Sequence, residues 1–410
     1  MLRPNKVFTP NKIPVKPGNT YASRGEAQQR LERALDRGYI PLIYGDYGVG
    51  KTSMARYVLR AYEADGRLVN IESVAGKSIR DVFEACLEKM EYRIERSVAQ
   101  EATSGSTNMQ GGEAGAKAFW LSAKISTSRQ RSQGDKETVV TELAVSSPTD
   151  SKLINLCEQH GLVLLLDELH KASDSFLKDL VEFVKACGNA SVEEFKIILL
   201  GTSSDSSRLV AKDPGVDRLI EDVKLGSMEE TECVNLIDAG MRNLGITVDS
   251  AAHSKLVKSC VGSPNILQFL CLVSSEKAFS REPRNLVVED VDQAISEYVD
   301  NKAARLKHQY LQAIETTGPK RYRKQILIAM SLANDEYVTM DELVEVIQRS
   351  IPEARNTDIS GPLKRLKEEQ YGPILRDVMR SASDQRIQNY TVFCDPAMKA
   401  FIRMQVAREQ

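Results

Sequence analysis

One short segment constrains the fold of this chain more than any other. Residues 45–52 read Gly-Asp-Tyr-Gly-Val-Gly-Lys-Thr and fit the pattern GxxxxGK[ST]. The apolar run Ile40–Tyr44 precedes the segment, and a helical pattern over residues 51–62 follows it. Strand, glycine-rich turn and helix, in this order, are the setting in which the pattern binds phosphate. Glycines let consecutive backbone N–H groups curl around a phosphate without a Cβ clash, and the helix N-terminus adds positive potential.

The same segment predicts the contacts with a nucleotide. We expect Lys51 to reach the β- and γ-phosphates and the Thr52 hydroxyl to ligate Mg²⁺. The cofactors that the motif predicts are therefore ATP and Mg²⁺, and a chance glycine turn is the alternative. The residues expected to bind ATP in this segment are Gly45, Asp46, Tyr47, Gly48, Val49, Gly50, Lys51, Thr52 and Ser53.

A second signal lies further along the chain, where the apolar run of residues 162–166 ends in Asp167 and Glu168. A short run without alternation is typical of a strand that is buried on both faces of a parallel sheet. A carboxylate at the end of such a strand can meet Mg²⁺ through its water shell, and we assign this role to Asp167. Glu168 can then orient and deprotonate the attacking water. The alternative is an acidic pair that only begins a turn.

The order of the remaining patterns predicts the architecture. Apolar runs and helical patterns alternate as far as residue 225, which predicts an α/β core with a doubly wound parallel sheet. Residues 229–299 show helical patterns alone and predict a separate all-helical unit. The C-terminal part reads helix, helix, helix, strand, strand, which is the outline of a winged-helix domain.

These motifs resemble those of the AAA+ ATPases, in the branch that initiator-type (origin-recognition-like) and STAND switch ATPases share. The glycine-rich segment is similar to Walker A, and residues 162–168 are similar to Walker B. The resemblance implies a P-loop ATPase core, a helical lid and a C-terminal winged-helix domain. The implied organisation is an N-terminal arm at 1–20, an ATPase core at 21–226 with an insertion at about 101–135, a lid at 227–300, a linker at 301–320 and a winged-helix domain at 321–410. Because the arm is rich in Pro, Asn and Lys, we expect it to be extended.

The resemblance also implies further site residues. Ser203, or alternatively Thr202, occupies the position of sensor 1, where the family places a polar side chain near the γ-phosphate. Arg218 lies just before the expected last strand, where the family carries an arginine finger that acts on the ATP of a neighbouring subunit. A surface arginine in a local ion pair is the alternative for Arg218.

Two lid residues complete the implied ATP site. Pro264 fits the GxP signature of STAND proteins, and Asn265 stands where many AAA+ members have the sensor 2 arginine. The loss of that cation favours slow hydrolysis and therefore a switch. Self-assembly through the ATP site and a protein effector are the partners that this reading implies.

Charge is distributed unevenly along the chain. The net charge is −2, yet residues 301–410 hold 18 Lys/Arg and 14 Asp/Glu. Lys364, Arg365 and Lys367 lie on the expected recognition helix and are candidates for DNA phosphate contacts. Glu368 and Glu369 follow them and weaken that interpretation. DNA is therefore a possible partner, and docking onto protein is the alternative.

Residues 101–135 differ in composition from the rest, with many Gly, Ser, Thr and Gln residues. We expect a surface insertion there, and its basic residues leave a nucleic-acid or partner contact open. No apolar run approaches the ~18 residues of a membrane span, so no membrane contact is expected. Seven scattered cysteines and an N-terminus without an apolar stretch indicate reduced thiols and a cytoplasmic protein.

Three functions follow from these patterns. The first is a Mg²⁺-dependent ATPase that binds and slowly hydrolyses ATP and acts as a nucleotide-controlled assembly switch that recruits or regulates a partner. The second is an ATP-dependent DNA-binding initiator or loader. The third is a scaffold that binds nucleotide without hydrolysing it. Phosphate release separates the first two from the third, and salt-dependent DNA binding separates the second from the first.

Overall fold

The structure is a computed structural model that describes residues 2–46, 48–94, 122–128, 138–144, 151–315, 322–333, 337–381 and 387–409. The strands are β1 (Ile40–Tyr44), β2 (Leu68–Ile71), β3 (Arg93–Ile94), β4 (Ser122–Ser128), β5 (Thr138–Ala144), β6 (Val163–Leu166), β7 (Lys196–Gly201), β8 (Ile220–Lys224), β9 (Thr247–Val248), β10 (Asn285–Leu286), β11 (Leu375–Ser381) and β12 (Ile387–Phe393). The helices are α1 (Pro4–Val7), α2 (Gly25–Asp36), α3 (Lys51–Val58), α4 (Arg60–Ala64), α5 (Ile79–Lys89), α6 (Ser151–Gln159), α7 (Asp174–Asn189), α8 (Ser203–Lys212), α9 (Glu230–Leu244), α10 (Ser250–Cys260), α11 (Pro264–Phe279), α12 (Val288–Glu297), α13 (Ala304–Ile314), α14 (Tyr322–Leu332), α15 (Met340–Gln348), α16 (Asn356–Arg365) and α17 (Ala397–Glu409).

The chain divides into two compact units. The first, the lid unit, contains residues 1–24, 46–53 and 226–410, and the second, the sheet unit, contains residues 25–45 and 54–225. Each unit has its own apolar core. Within the described residues, no helix is long and apolar enough to cross a membrane.

The sheet unit is built on a five-stranded sheet in the order β2-β6-β7-β1-β8, in which every neighbouring pair is parallel. All four residues of β6 are buried, as expected for a strand with helices over both faces. The aromatic pair Phe83 and Phe183 packs α5 against α7, with ring centroids 4.9 Å apart in an edge-to-face arrangement. The prediction of a doubly wound parallel α/β core is therefore confirmed.

A small antiparallel sheet, β3-β4-β5, also belongs to the sheet unit. β4 falls inside the expected insertion at 101–135, for which no strand was predicted. Of the basic residues noted there, Lys124 lies on β4, opposite Arg93 on one side and Glu142 on the other. Residues 101–121 and 129–135 of that insertion lie outside the described part of the chain.

In the lid unit, α9 to α12 form one apolar core with the C-terminal helices. The expectation of an extended arm is wrong at Pro4–Val7, which forms a helical turn with proline at its start. Val7 and Phe8 are fully buried. The Gln268 side chain holds the arm from both ends, because its Oε1 accepts from Thr9 N (2.9 Å) and its Nε2 donates to Thr20 O (2.7 Å).

The C-terminal part contains three helices, α14 to α16, followed by the antiparallel hairpin β11-β12. α13 covers most of the expected linker. α17 follows the hairpin and packs on α14, and its inner face includes Phe401, which meets Tyr310 edge to face. The predicted order of elements stopped at the second strand and did not include α17. The predicted winged-helix domain remains a prediction.

Candidate functional site

The glycine-rich loop has a backbone that only glycine adopts easily. Gly48 and Gly50 have φ angles of +82° and +95°, where a Cβ atom is unfavourable. Apart from its neighbours in the chain, no described residue has a heavy atom within 4 Å of the place that a Cβ of Gly48 would take. The loop is therefore open on that side, as a phosphate cradle requires. Tyr47 lies outside the described residues.

Helix α3 begins at Lys51, directly after the loop. The Lys51 ammonium donates to the Asp46 backbone carbonyl at 2.9 Å, so that the side chain folds back over its own loop. Lys51, Thr52 and Ser53 are half-buried, whereas Val49 is buried. These residues place one cation, two hydroxyl groups and the first N–H groups of a helix together, which is the chemistry that binds phosphate.

Pro264 and Asn265 lie at the start of α11, where the Ser263 side chain caps the helix. A Cβ on Gly50 would stand 3.4 Å from the Pro264 ring, so α11 begins against the glycine-rich loop. The Asn265 amide donates to the Pro10 carbonyl at 2.5 Å. Asn265 therefore fastens the N-terminal arm to α11, a role that no sequence pattern indicates.

In the sheet unit, the carboxyl ends of β1, β6 and β7 meet at one edge because the three strands are parallel. Gly45, Asp167 and Thr202 each follow one of these strands. This edge is therefore where the residues predicted from three separate motifs come together. Sequence reasoning placed each motif at a strand end, and the strand order now explains why they are neighbours.

Asp167 is tied to the sheet by its backbone, since its N–H donates to the Ile71 carbonyl at 2.9 Å. Its carboxylate accepts from the Glu168 N–H at 2.6 Å. Glu168 itself has φ +56° and ψ +41°, a left-handed conformation that is uncommon for a residue other than glycine. Such local strain is often held at functional sites, and here it turns Glu168 away from the strand direction.

The Glu168 carboxylate accepts from the Lys171 ammonium at 2.6 Å. The Lys171 cation, followed by a hydrogen bond with Ser73, lowers the pKa of the Glu168 carboxyl from its usual value. Because Glu168 and Lys171 are both partly exposed, with 31% and 45% of their side chains accessible, the pair adds little to stability. Its consequence is chemical: Glu168 is an ionised base that is engaged by a neighbouring cation.

The sensor 1 candidates lie at the start of α8. Thr202 is the N-cap residue, and its N–H and hydroxyl donate to the Asp205 carboxylate at 2.6 and 3.0 Å. Ser203 is the first residue of the helix. The fully buried Asp205 also accepts from Arg208 at 2.9 Å. Sequence analysis missed Asp205, although a Thr followed three residues later by an acid is a recognisable capping signal.

Arg218 lies exposed in the turn before β8. Among the described residues it has no hydrogen-bond or ion-pair partner, so the structure gives no support to the local ion pair considered above. The turn itself is held by Asp213, which accepts from Lys185 at 2.6 Å and from Gly215 N at 2.7 Å. Arg218 is thus a cation without a partner among the residues that the structure describes, and its turn is held by hydrogen bonds.

The DNA candidates differ from one another. Lys364 and Arg365 are exposed at the end of α16. Lys367 is half-buried and its ammonium donates to the Asp377 carboxylate on β11 at 2.5 Å. Lys367 therefore has a partner within the lid unit, whereas Lys364 and Arg365 on the same segment are exposed.

A metal ion would not find a ready-made site of protein ligands, because no group of three or more His, Cys, Asp or Glu side chains is suitably placed within the described residues. The residues present do fit Mg²⁺ bound together with a nucleotide. Mg²⁺ keeps several waters and takes only one or two protein oxygens besides phosphate. The Thr52 hydroxyl in the lid unit is an oxygen donor of that kind, and so is the Asp167 carboxylate in the sheet unit.

Comparison with protein families supports the class of the domain. Residues 34–209 match the family model described as AAA domain. This segment contains the glycine-rich loop, the Asp167-Glu168 pair and the start of α8. The resemblance to AAA+ ATPases is thereby confirmed for this part of the chain.

Solved structures give weaker similarities. The chain is similar to the Walker-type ATPase paby2304 of Pyrococcus abyssi, at 16% identity and TM-score 0.49, covering 96% of this chain and 99% of that one. It is similar to the ORC2 protein of Aeropyrum pernix in ADPNP–ADP complexes, at 15% identity and TM-score 0.49, covering 99% and 98%. It is also similar to the ORC1 protein of Aeropyrum pernix in complex with DNA, at 15% identity and TM-score 0.44, covering 100% and 98%. A comparison with curated proteins gives no match. Similarities of this size carry no argument about activity.

Proposed function

We propose that this protein binds ATP with Mg²⁺, hydrolyses it slowly and acts as a nucleotide-controlled assembly switch that recruits or regulates a partner. The proposal is carried by the glycine-rich loop, which has positive φ angles at Gly48 and Gly50 and is followed directly by α3 at Lys51. Its backbone N–H groups and the Lys51 ammonium suit a chain of phosphates. The AAA domain match over residues 34–209 supports the same class of activity.

The roles of the residues follow from their chemistry. Lys51 would leave the Asp46 carbonyl and neutralise the β- and γ-phosphates, while Thr52 and Asp167 would provide the protein oxygens near Mg²⁺. Mg²⁺ supplies neutralisation of the charge on the phosphates when bound. Glu168 would orient a water molecule and accept its proton, because its carboxylate is ionised.

Two contacts support slow turnover. The Lys171 ammonium occupies the Glu168 carboxylate, so the base must exchange this partner for a water molecule before it can act. Asn265 is neutral and is bonded to Pro10, so it adds no positive charge to the phosphates. Both features favour a long-lived ATP state, which suits a switch better than a motor.

The test separates binding from hydrolysis. Lys51→Ala should abolish ATP binding measured by calorimetry, whereas Lys258→Ala, at an exposed lysine on α10, should leave it unchanged. Glu168→Gln should keep ATP binding and stop phosphate release, and Glu72→Gln, at an exposed carboxylate just after β2, is its control. Unchanged affinity in a folded Lys51→Ala variant would refute the assignment. Wild-type protein that binds ATP but never releases phosphate would favour the scaffold.

We further propose that Arg218 acts on the ATP of a neighbouring copy, because it is exposed on a fixed turn and lacks a described partner. Specific activity should then rise with protein concentration, and Arg218→Ala should lose it. A mixture of Arg218→Ala with Glu168→Gln should recover some activity, since one shared interface would again contain both intact groups. Turnover by a strict monomer, independent of concentration, would exclude this role.

DNA binding by the C-terminal part is a second candidate function, and the exposed Lys364 and Arg365 on α16 favour it. Phosphate contacts would make the affinity fall steeply as salt rises, with a log–log slope of about 0.9 per phosphate neutralised. If no DNA complex forms at ~50 mM salt in the presence of ATP or ADP, the DNA-binding function is refuted and the protein switch is the remaining candidate.

A further inference from the structure

Arg24 is a buried arginine that the proposed chemistry does not use. Only 5% of its side chain is accessible, and it contacts three acceptors in the lid unit. Its Nη1 donates to the Val49 carbonyl at 2.5 Å, its Nη2 to the Gly226 carbonyl at 2.7 Å and its Nε to Glu232 Oε2 at 3.1 Å. One guanidinium therefore connects the phosphate loop with two points at the beginning of the lid.

The contact with Val49 fixes the direction of a peptide in the phosphate loop. The carbonyl of Val49 and the N–H of Gly50 belong to the same planar trans peptide and point in opposite directions. Because Arg24 holds the carbonyl, the Gly50 N–H must point away from Arg24. Gly50 has φ +95°, a conformation in which the loop could otherwise rotate easily. Arg24 thus selects one orientation of a donor that phosphate would use.

The other two contacts fix the start of the lid. Gly226 is the first lid-unit residue after β8, and Glu232 lies in the first turn of α9. The same Glu232 oxygen accepts from the Glu229 N–H at 3.0 Å and so closes the N-terminus of the helix. A guanidinium can serve three acceptors at once because its donors form a rigid planar fork, which an ammonium group lacks.

A second set of contacts joins the same loop to the lid unit, through the turn at Gly262 before α11. The Met228 N–H donates to the Gly262 carbonyl at 2.8 Å, and Gly262 has φ +69°. A Cβ at Gly262 would lie 2.6 Å from the Met228 carbonyl oxygen, so only glycine permits this approach. Gly262 leads into Pro264, which lies against Gly50. The loop and the start of the lid are thus joined at both ends.

We propose that Arg24 is a positioning residue that couples the phosphate loop to the first lid helix, so that phosphates held by the loop also fix the lid. The inference rests on the proposed nucleotide binding. In this role Arg24 does not contact the nucleotide. Its guanidinium donates instead to two backbone carbonyls and to one carboxylate that caps a helix.

Hydrogen–deuterium exchange with ATP, ADP and pyrophosphate, each with Mg²⁺, tests the coupling. In the wild-type protein each compound should slow exchange in the loop at 48–52 and in the first turns of α9. In Arg24→Ala the affinity should fall about 10-fold to 100-fold, the size expected for lost hydrogen bonds to a charged group. At saturating ligand the loop should still be protected, whereas the protection of α9 should no longer respond.

Further variants separate coupling from folding. Arg24→Ala leaves the Glu232 charge without this partner, so the double variant Arg24→Gln with Glu232→Gln removes that charge and should lose coupling in a folded protein. Arg24→Lys should restore part of the affinity. Arg323→Ala removes another buried arginine, which donates to the Glu315 carbonyl and stacks on Tyr371, and should leave the α9 response intact.

The outcomes are distinguishable. Wild-type protein that binds none of the three compounds would overturn both the proposed function and the coupling. Wild-type binding together with an unchanged α9 response in Arg24→Ala would overturn the coupling alone. Loss of the response in Arg323→Ala would also overturn it, because any loss of stability in the lid unit would then suffice.

Discussion

Replacing Gly240 with alanine should destabilise the lid unit, although the same change usually stabilises a helix. Gly240 lies in the interior of α9, where alanine is favoured over glycine by about 1 kcal/mol. In this structure the new Cβ would stand 2.2 Å from Phe8 Cζ and 2.4 Å from Phe8 Cε1. Phe8 is fully buried, so its ring has no open space into which to move.

The magnitude follows from the two ways in which the clash can be relieved. If the helix and the ring shift together, overpacking costs about 1–3 kcal/mol. If the arm leaves its place, the burial of the phenylalanine side chain is lost, which costs about 1.5–3 kcal/mol. After subtraction of the gain in helix propensity, the expected net loss in the free energy of unfolding is about 1 kcal/mol.

A double-mutant cycle with Phe8→Leu isolates the contact, since leucine lacks the Cζ and Cε1 atoms that the new Cβ would meet. In that background Gly240→Ala should become neutral or stabilising by up to about 1 kcal/mol, because the helix propensity remains and is opposed only by a 3.1 Å contact with Thr20 Oγ1. Native-state hydrogen exchange of amides in α9 and α11 measures the local free energy of opening and suits a protein of two units. Stabilisation by Gly240→Ala alone, or an equal effect in both backgrounds, would refute the packing of Phe8 on α9.

Three further predictions concern charge and reactivity. Lys171→Met should raise the pKa of Glu168 towards its ordinary value, so the acidic limb of single-turnover hydrolysis should move to higher pH; an unmoved limb would show that another group titrates. Because Lys367 is paired with Asp377, replacing it together with its two exposed cationic neighbours should reduce the slope of DNA affinity against salt by about two units rather than three. Native protein at pH 8 should take up iodoacetamide at Cys394 alone, since it is exposed and the other six cysteines are buried, and mass spectrometry would reveal labelling elsewhere.

The backbone of the glycine-rich loop and the strand ends were predictable because their signals are local. The glycines at 48 and 50 indicate positive φ angles, and the apolar runs before Gly45 and Asp167 indicate strands that are buried on both faces. Strands that alternate with helices along a chain are typical of a parallel sheet with helices on both faces, so this alternation alone predicted the doubly wound sheet. The roles of Lys51, Thr52 and Glu168 are predictions from the same local patterns.

Long-range packing could not be predicted in this way. The N-terminal arm was expected to be extended because its proline and asparagine residues favour turns, yet Phe8 docks on a glycine more than 200 residues away. The docking depends on one missing Cβ at Gly240 and on one amide at Gln268. Neither residue stands out in a sequence, because a glycine in a helix or a glutamine on its surface is ordinary.

Residue types at fixed short spacings thus indicated the strands of the parallel sheet and the polar side chains that follow them, although they did not indicate β4 or α17. Only the tertiary structure decided which side chains are paired. Lys171 forms an ion pair with Glu168, and Lys367 forms one with Asp377. Arg24 donates a hydrogen bond to the Val49 carbonyl in the glycine-rich loop. The physical reason is that hydrogen bonds and ion pairs depend on distances of about 3 Å between atoms. Only the folded chain sets these distances, and a spacing of 25 residues between Arg24 and Val49 gives no indication of them.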